Sequence, residues 1–231
     1  MFNYNNQNTN GFTLIELMIA ISILSMLLFT GSYTYSLMSQ RWNKELGTFS
    51  TSAKIAKNLT ILQRLIEGVQ PYVVIDNKKS PSFFFIGDET SLLAVSRAGI
   101  FSGDYPEIFR LTTIENSNGL VDLVYQSAST ENVLLIGTDQ EINFTKKLVL
   151  FNNLEKVEFR YYGWNNLSEK SNSSENGKHK NWLPNYSGIN KQLTPELINL
   201  KLTKSNSDIQ ISIFLDSNPE HFLSPYMGEG E

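Results

Sequence analysis

The residue whose position most strongly suggests chemistry is Glu16, in the stretch GFTLIEL near the amino terminus. Residues 12–29 read FTLIELMIAISILSMLLF, and Glu16 is the single charged residue among these eighteen. A helix of this length rises ~27 Å, close to the hydrocarbon thickness of a bilayer. A carboxylate inside such a helix is costly unless it is paired or lies near the interface, so Glu16 predicts a functional role.

Residue types that usually carry enzyme chemistry are sparse elsewhere in the chain. The 231 residues include no cysteine and two histidines, His179 and His221, which excludes thiolate chemistry and disfavours a multi-histidine metal site. Four carboxylates could supply acid–base pairs or calcium ligands: Asp88, Asp104, Asp139 and Glu141. They lie in turn-like segments, where Asp is ordinary turn chemistry, and their spacing matches no known calcium loop. We therefore expect no catalytic residue, no cofactor and no metal site; a membrane-anchored enzyme is the alternative.

Two common kinds of targeting segment fit the apolar run poorly. A secretory signal peptide has a basic n-region, a shorter apolar core and a small-residue cleavage site. Residues 1–10 contain no Lys or Arg, the run is long, and no clear cleavage site follows it. An ordinary signal anchor explains the length of the run but does not predict an acidic residue near its start.

The motif GFTLIE, from Gly11 to Glu16, resembles the class III leader of type IV pilins and type II secretion pseudopilins. The resemblance implies cleavage after Gly11 by a prepilin peptidase and N-methylation of the new terminal residue, Phe12. It also implies a single-pass protein of the inner membrane with its globular domain in the periplasm.

The resemblance gives Glu16 an assembly role. In a filament of packed helices, Glu16 of one subunit can pair with the amino terminus of Phe12 on a neighbour, and a buried charge is tolerated when its partner is supplied. The alternative is a carboxylate solvated by lipid head groups at the interface.

The leader departs from the family pattern in its charge. Pilin-like leaders usually carry Lys or Arg, whereas the nearest basic residues here, Arg41 and Lys44, follow the apolar run. Counted alone, these two residues favour the opposite orientation under the positive-inside tendency. The expected topology therefore rests on the resemblance and not on charge.

Helical patterning continues beyond the apolar run and ends before Pro71. Apolar residues recur at intervals of three or four: Leu46, Phe49, Ala53, Ala56, Leu59, Leu62, Ile66 and Val69. We predict that this stripe packs on a globular domain. The predicted divisions are a leader (1–11), a transmembrane half-helix (12–35), an amphipathic half-helix (36–70) and a β-rich domain (71–231).

From residue 72 onward, short apolar or alternating runs separated by turn residues predict about ten β-strands. The runs are 72–75, 82–87, 92–98, 107–115, 119–127, 132–137, 146–151, 154–164, 196–204 and 208–216. Alternation is clear in VEFRYY (157–162) and INLKL (198–202), as expected of half-buried antiparallel sheet. The polar residues 165–181 predict an exposed loop. The expected fold class is α+β: a pilin-like fold whose long N-terminal helix packs on one or two antiparallel sheets.

A second resemblance concerns the subtype. Four features resemble, in kind and order, the J-type minor pseudopilin of type II secretion. They are FFFIGDETSLLAVSRAGIFSG (83–103), VEFRYYGW (157–164), Trp182 and TPELINLKL (194–202). This implies a non-enzymatic subunit at the tip of a pseudopilus, with I- and K-type minor subunits and the major pseudopilin as partners. The alternative is a minor pilin of a type IV pilus for adhesion, twitching motility or DNA uptake.

Nucleic acid is not an expected partner. The formal net charge is −4, and the one basic stretch with an aromatic residue, KHKNW (178–182), is interpreted as part of a solvated loop.

Overall fold

The structure is a computed structural model that describes residues 11–75, 79–138, 140–172, 179–205, 207–215 and 219–226. Residues 1–10, which belong to the expected leader, lie outside these ranges. Two residues named above, Asp139 and Lys178, lie outside them as well. The chain divides within its long helix into two units, Met1–Lys54 and Ile55–Glu231. The second unit includes the end of the helix and all the strands.

Helix α1 spans Leu14–Glu67 and is unbroken at Gly31 and Gly47. It ends three residues before the predicted limit at residue 70, because Gly68 and Val69 turn towards the sheet. The Gly68 amide still donates to the Arg64 carbonyl (3.0 Å), and Val69 forms a β-bridge with Ser96. A Cβ atom on Gly68 would lie 2.6 Å from Ser96 Oγ, so the chain can turn this tightly against the sheet only at glycine.

The last turns of α1 contribute to the main core of the second unit. Three of their side chains are fully buried and three are half-buried: Leu62, Leu65 and Ile66, and Ile55, Leu59 and Ile61. The predicted stripe is therefore confirmed for its C-terminal part. It is wrong for Leu46, Phe49, Ala53 and Ala56, which are exposed, because periodicity identifies an apolar face but not where the packing partner begins.

The described residues after α1 form twelve strands and three short helical segments. The strands are β1 (Val73–Ile75), β2 (Pro81–Phe83), β3 (Phe85–Gly87), β4 (Ser91–Ser96), β5 (Glu107–Glu115), β6 (Val121–Ser129), β7 (Lys146–Leu154), β8 (Lys156–Gly163), β9 (Asn181–Leu183), β10 (Tyr186–Ser187), β11 (Leu197–Lys204) and β12 (Ser207–Phe214). The helical segments are α2 (Leu167–Ser171), α3 (Gly188–Lys191) and a 3₁₀ turn at Pro219–Phe222.

Two larger antiparallel sheets enclose the core. One has six strands in the order β10-β3-β4-β5-β6-β7, and the other has four in the order β12-β11-β8-β9; β1 and β2 form a separate pair. The predicted α+β class is confirmed, since a long N-terminal helix packs on antiparallel sheets. The alternation predicted for β8 is confirmed as well: Val157, Phe159 and Tyr161 are buried, and the residues between them are half-buried.

Three segments differ from the predicted secondary structure. The run 82–87 is divided at Phe84 into β2 and β3. The exposed loop predicted for 165–181 is wrong in its first part, because helix α2 forms there and Leu167 packs against the main core. Its last residue, Asn181, begins the unpredicted strand β9, and the unpredicted strand β10 follows. The run 132–137 is no strand, although it alternates: Leu135 is buried, whereas Leu134 and Ile136 are exposed. Apart from one bridge between Gly137 and Ile75, this run pairs with no described strand. A strand exists only when another strand pairs with it, and one sequence segment does not reveal its partner.

The turn between β3 and β4 ties the two larger sheets together. The Asp88 carboxylate accepts the amides of Thr90 (2.7 Å) and Ser91 (2.6 Å), which fixes the turn. The Tyr161 hydroxyl of β8 donates to the Asp88 carbonyl at 2.9 Å. A Cβ atom on Gly87 would collide with the Tyr161 ring, so this contact requires glycine.

We expect Gly87→Ala to lower the free energy of unfolding of the full chain in detergent by about 1–3 kcal/mol, the usual cost of overpacking. Gly103→Ala is the matched control, because a Cβ atom there meets nothing within 4 Å. Chemical denaturation followed by tryptophan fluorescence measures both. Equal stabilities of the two variants would contradict the proposed close contact.

The buried carboxylate of Glu107, at the start of β5, holds the segment that connects β4 to β5. It accepts the backbone amides of Phe101 (2.8 Å) and Ser102, and the hydroxyl of Tyr125. Burial alone raises the pKa of Glu107, but the hydrogen bonds from Tyr125, Ser127 and the two amides outweigh it and hold the pKa below its ordinary value.

We expect Glu107→Gln to lower the free energy of unfolding by about 2 kcal/mol at neutral pH, because the amide cannot accept all the donors. The folded-state pKa of Glu107 is depressed, so its contribution is complete above the unfolded-state value and is lost as the pH falls through the folded-state value. The difference between wild type and variant should therefore shrink in acid. Glu115→Gln, at the exposed end of the same strand, is the control. A difference that does not vary with pH would contradict this account.

Candidate functional site

The amino-terminal end of α1 is built as a capping box. Thr13 precedes the first helical residue, and its backbone amide and Oγ1 each donate to Glu16 Oε2 at 3.0 Å. The Glu16 amide returns a hydrogen bond to Thr13 Oγ1 at 3.4 Å. These reciprocal bonds satisfy amide donors that have no acceptor within the helix, so Thr13 and Glu16 together fix where α1 begins.

Thr13 is a functional residue that the sequence reasoning above overlooked. The signal was present, because Thr-x-x-Glu directly before an apolar run is the sequence signature of a capping box. Glu16 thus has one role within its own chain, whatever role it has between chains.

The Glu16 carboxylate retains capacity for a second partner. Thr13 occupies Oε2, and among residues from 11 onward that the structure describes no donor reaches Oε1. The side chain is exposed, and its negative charge lies at the positive end of the helix dipole. It can therefore accept an additional cationic donor from outside the chain without giving up its cap.

Gly11 and Phe12, the predicted processing residues, lie just before the capping box and are accessible. Gly11 is exposed, and Phe12 is 82% exposed. A Cβ atom on Gly11 would meet no described atom within 4 Å. The packing of the described chain therefore gives no reason for glycine at this position.

The first part of α1 presents an apolar surface in which several polar side chains are satisfied within the helix. Four of its hydroxyl side chains donate to the carbonyl four residues earlier at 2.8 Å: Ser22, Ser25, Thr30 and Thr34. Such bonds make hydroxyls compatible with lipid. Within the described residues, α1 is the one helix long and apolar enough to cross a bilayer, with a mean hydropathy of 2.2 over its most apolar window. It fits a single-pass anchor.

The alternative catalytic or calcium-binding carboxylates do not converge. Asp88 is committed to the β3–β4 turn, and Asp104 and Glu141 are exposed. Asp139 lies outside the described residues. Within the described ranges, no three His, Cys, Asp or Glu side chains are grouped so that they could hold a metal ion. His179, from the basic stretch near Trp182, is exposed.

Comparison with known proteins points to the same end of the chain. Residues 6–31 match the family model described as the prokaryotic N-terminal methylation motif, a range that includes Gly11, Phe12 and Glu16. No curated protein gives a significant match to the chain. The motif match indicates a type IV pilin-like family, in which chains are processed by a prepilin peptidase and assemble with other pilin-like subunits.

Proposed function

We propose that this chain is a structural minor subunit of a type II secretion pseudopilus. In this proposal, a prepilin peptidase cleaves after Gly11 and methylates Phe12, and residues 12–35 anchor the subunit in the inner membrane. Residues 71–231 then form a periplasmic domain. The observation that carries the proposal is the methylation motif leading directly into an exposed, capped apolar helix.

The surroundings of Gly11 support processing at this position. No contact of the described chain requires glycine there, and its backbone φ is not in the left-handed region. An external partner would account for glycine here, for example a peptidase whose active site needs close approach to the backbone. Exposure of Gly11 and Phe12 is consistent with that use.

Cleavage would change the electrostatics at the head of α1. The uncleaved chain has an ordinary peptide at Phe12, whereas the mature chain would begin there with a positive amine. A carboxylate in a low-dielectric helix bundle needs such a counter-charge, and leaving either ion unpaired is strongly destabilising. A pair between Glu16 of one chain and Phe12 of another would therefore link processing to assembly.

The assignment within the pilin-like group rests on family resemblance. The J-type pattern over residues 83–202 favours a tip subunit that works with I- and K-type minor subunits and the major pseudopilin. A minor pilin of a type IV pilus remains the second candidate, because the N-terminal motif is common to both classes. Both candidates are filament subunits without catalytic activity.

We expect mass spectrometry of the chain purified from its host membranes to find a mature amino terminus at N-methyl-phenylalanine 12. Gly11→Ala is the matched variant: a methyl group fits the described structure without contacts, so it should leave folding unchanged. If Gly11 is read by the peptidase, this variant should accumulate with its leader attached. An intact wild-type leader, or cleavage near residue 31, would refute the proposed function.

We expect Glu16→Ala to leave cleavage largely intact but to reduce incorporation into filaments by at least about tenfold, because the charge pair between subunits is lost. Thr13→Val separates the two roles of Glu16, since it removes the hydroxyl of the cap while keeping the carboxylate. The expected effect of Thr13→Val is small. Sedimented filaments measure incorporation of each variant.

An assembly defect in Thr13→Val as large as that in Glu16→Ala would mean that Glu16 acts only as a cap. Scoring secreted proteins and surface pili in the same strains distinguishes the two candidate filaments. Loss of secretion supports the pseudopilus, and loss of surface pili supports the type IV pilus.

A further inference from the structure

The outer strand of the four-stranded sheet, β12, has an open edge. It pairs with β11 along all eight residues, from Ser207 to Phe214. No described strand pairs with its other side. An unpaired edge presents backbone donors and acceptors to any chain that can lie beside it in extended conformation.

The register shows which residues of β12 present those groups. The Leu215 amide donates to the Glu196 carbonyl at 2.8 Å, and Phe214 lies opposite Leu197. Hydrogen-bonded pairs alternate along an antiparallel ladder, so Ile209, Ile211 and Ile213 direct their backbone groups towards β11. The backbone groups of the residues between them therefore face the open edge: Asp208, Gln210, Ser212 and Phe214.

The side chains of β12 are incompletely covered on both faces. On the core side, Ile213 is buried, but Ile209 and Ile211 are only half-buried because no described strand lies beyond them. On the outer side, Phe214 is 77% exposed. An additional strand would cover the two isoleucines on one face and contact Phe214 on the other.

The other three end strands of the two larger sheets have protective features that β12 lacks. The end strands β9 and β10 have only three and two residues. Strand β7 is longer, but it carries Lys146 and Lys147 and its pairing with β6 shifts register twice. Short length, lysines and bulges are the usual protection of edges. Strand β12 is eight residues long, pairs in regular register and contains no Lys or Pro.

A row of apolar side chains leads across the outer face of the sheet to this edge. The register places four residues side by side on neighbouring strands: Phe214, Leu197, Tyr162 and Trp182. The Tyr162 and Trp182 rings are 5.3 Å apart. Cross-strand pairs of this kind stabilise sheets, so an apolar residue of an added strand beside Phe214 would extend the row.

We propose that the open edge of β12 receives a β-strand from a neighbouring pilin-like subunit; this rests on the proposed function as a filament subunit. The incoming strand has aliphatic residues on the side of Ile209 and Ile211 and an apolar residue beside Phe214. Backbone hydrogen bonds supply affinity and the alternating side chains supply specificity, as in other strand additions.

The charges on β12 favour such a partner over a second copy of this chain. Asp208 is already paired with Lys201 at 2.7 Å and accepts the Thr203 hydroxyl at 2.8 Å. Antiparallel self-pairing through all four outward-facing residues would set Phe214 beside Asp208 of the other copy. That arrangement desolvates a carboxylate against an aromatic ring and gains no new counter-charge.

Photo-crosslinking of the full chain in its host membranes tests the proposal, with p-benzoylphenylalanine in place of Phe214. The expected adduct joins this position to an extended segment of another chain that carries the N-terminal methylation motif. Gln210→Pro removes an outward amide while leaving the β11 ladder intact, since proline is tolerated on an edge strand where its N–H would face solvent. It should lower the adduct yield at least about tenfold, whereas the matched control Gln210→Thr should retain it.

Ser212→Lys keeps the test valid if the proline variant folds poorly, because an edge lysine opposes strand addition without changing the backbone. Hydrogen exchange adds a measurement on the unmodified chain. The amides of Gln210 and Ser212 should exchange much faster than those of Ile209 and Ile211 in the isolated protein, and should slow on assembly.

An adduct between two copies of this chain, or a yield unchanged by both Gln210→Pro and Ser212→Lys, would overturn the proposal. The state of Phe12 in the same samples separates this result from the proposed function. Methylated Phe12 without an adduct refutes strand addition alone. An unmodified leader refutes the filament assignment, and with it the identity of the partner.

Discussion

The amino-terminal end of the molecule is organised around one negative charge at the head of an apolar helix. The Glu16 carboxylate accepts hydrogen bonds from the backbone amide and the hydroxyl of Thr13 at the start of α1. It lies where the helix dipole favours an anion. These local interactions make the charge acceptable while that end of the helix is exposed to water. They do not neutralise it. In a low-dielectric environment the charge would still require a cation, and the assembly role proposed for Glu16 rests on that requirement.

The second unit is stable for different reasons. Its core joins the last turns of α1 to two antiparallel sheets, and two polar contacts fix segments that apolar packing does not define. Tyr161 holds the turn at Asp88, and Glu107 holds the loop at Phe101. Each contact places a buried polar group against backbone donors or acceptors, which penalises any rearrangement that leaves them unpaired. None of these interactions involves Glu16 or its neighbours.

Features that depend on local periodicity could be predicted from the sequence, and features that depend on distant partners could not. The continuity of α1 and the buried face of β8 follow from periods of 3.6 and 2. The exposure of Phe49 and the unpaired run 132–137 were mispredicted because each outcome depends on what lies opposite in space. In the candidate site, Glu16 could be predicted because a charge is conspicuous in an apolar run. Its hydrogen bonds with Thr13 were not predicted, although the Thr-x-x-Glu pattern indicates them.

The carboxylate of Glu16 and the open edge of β12 share one physical property: each has bonding capacity that the described chain leaves unused. An isolated chain tolerates both because water solvates an exposed charge and exposed amides at little cost. Once neighbours exclude that water, each group must be satisfied by another chain or it opposes association. The edge demands an extended backbone and the carboxylate demands a cation, so the two groups would select the same neighbours by independent criteria. If the proposed function and the proposed strand addition hold, association would depend on two separate requirements, a processed amino terminus for Glu16 and an extended strand for β12.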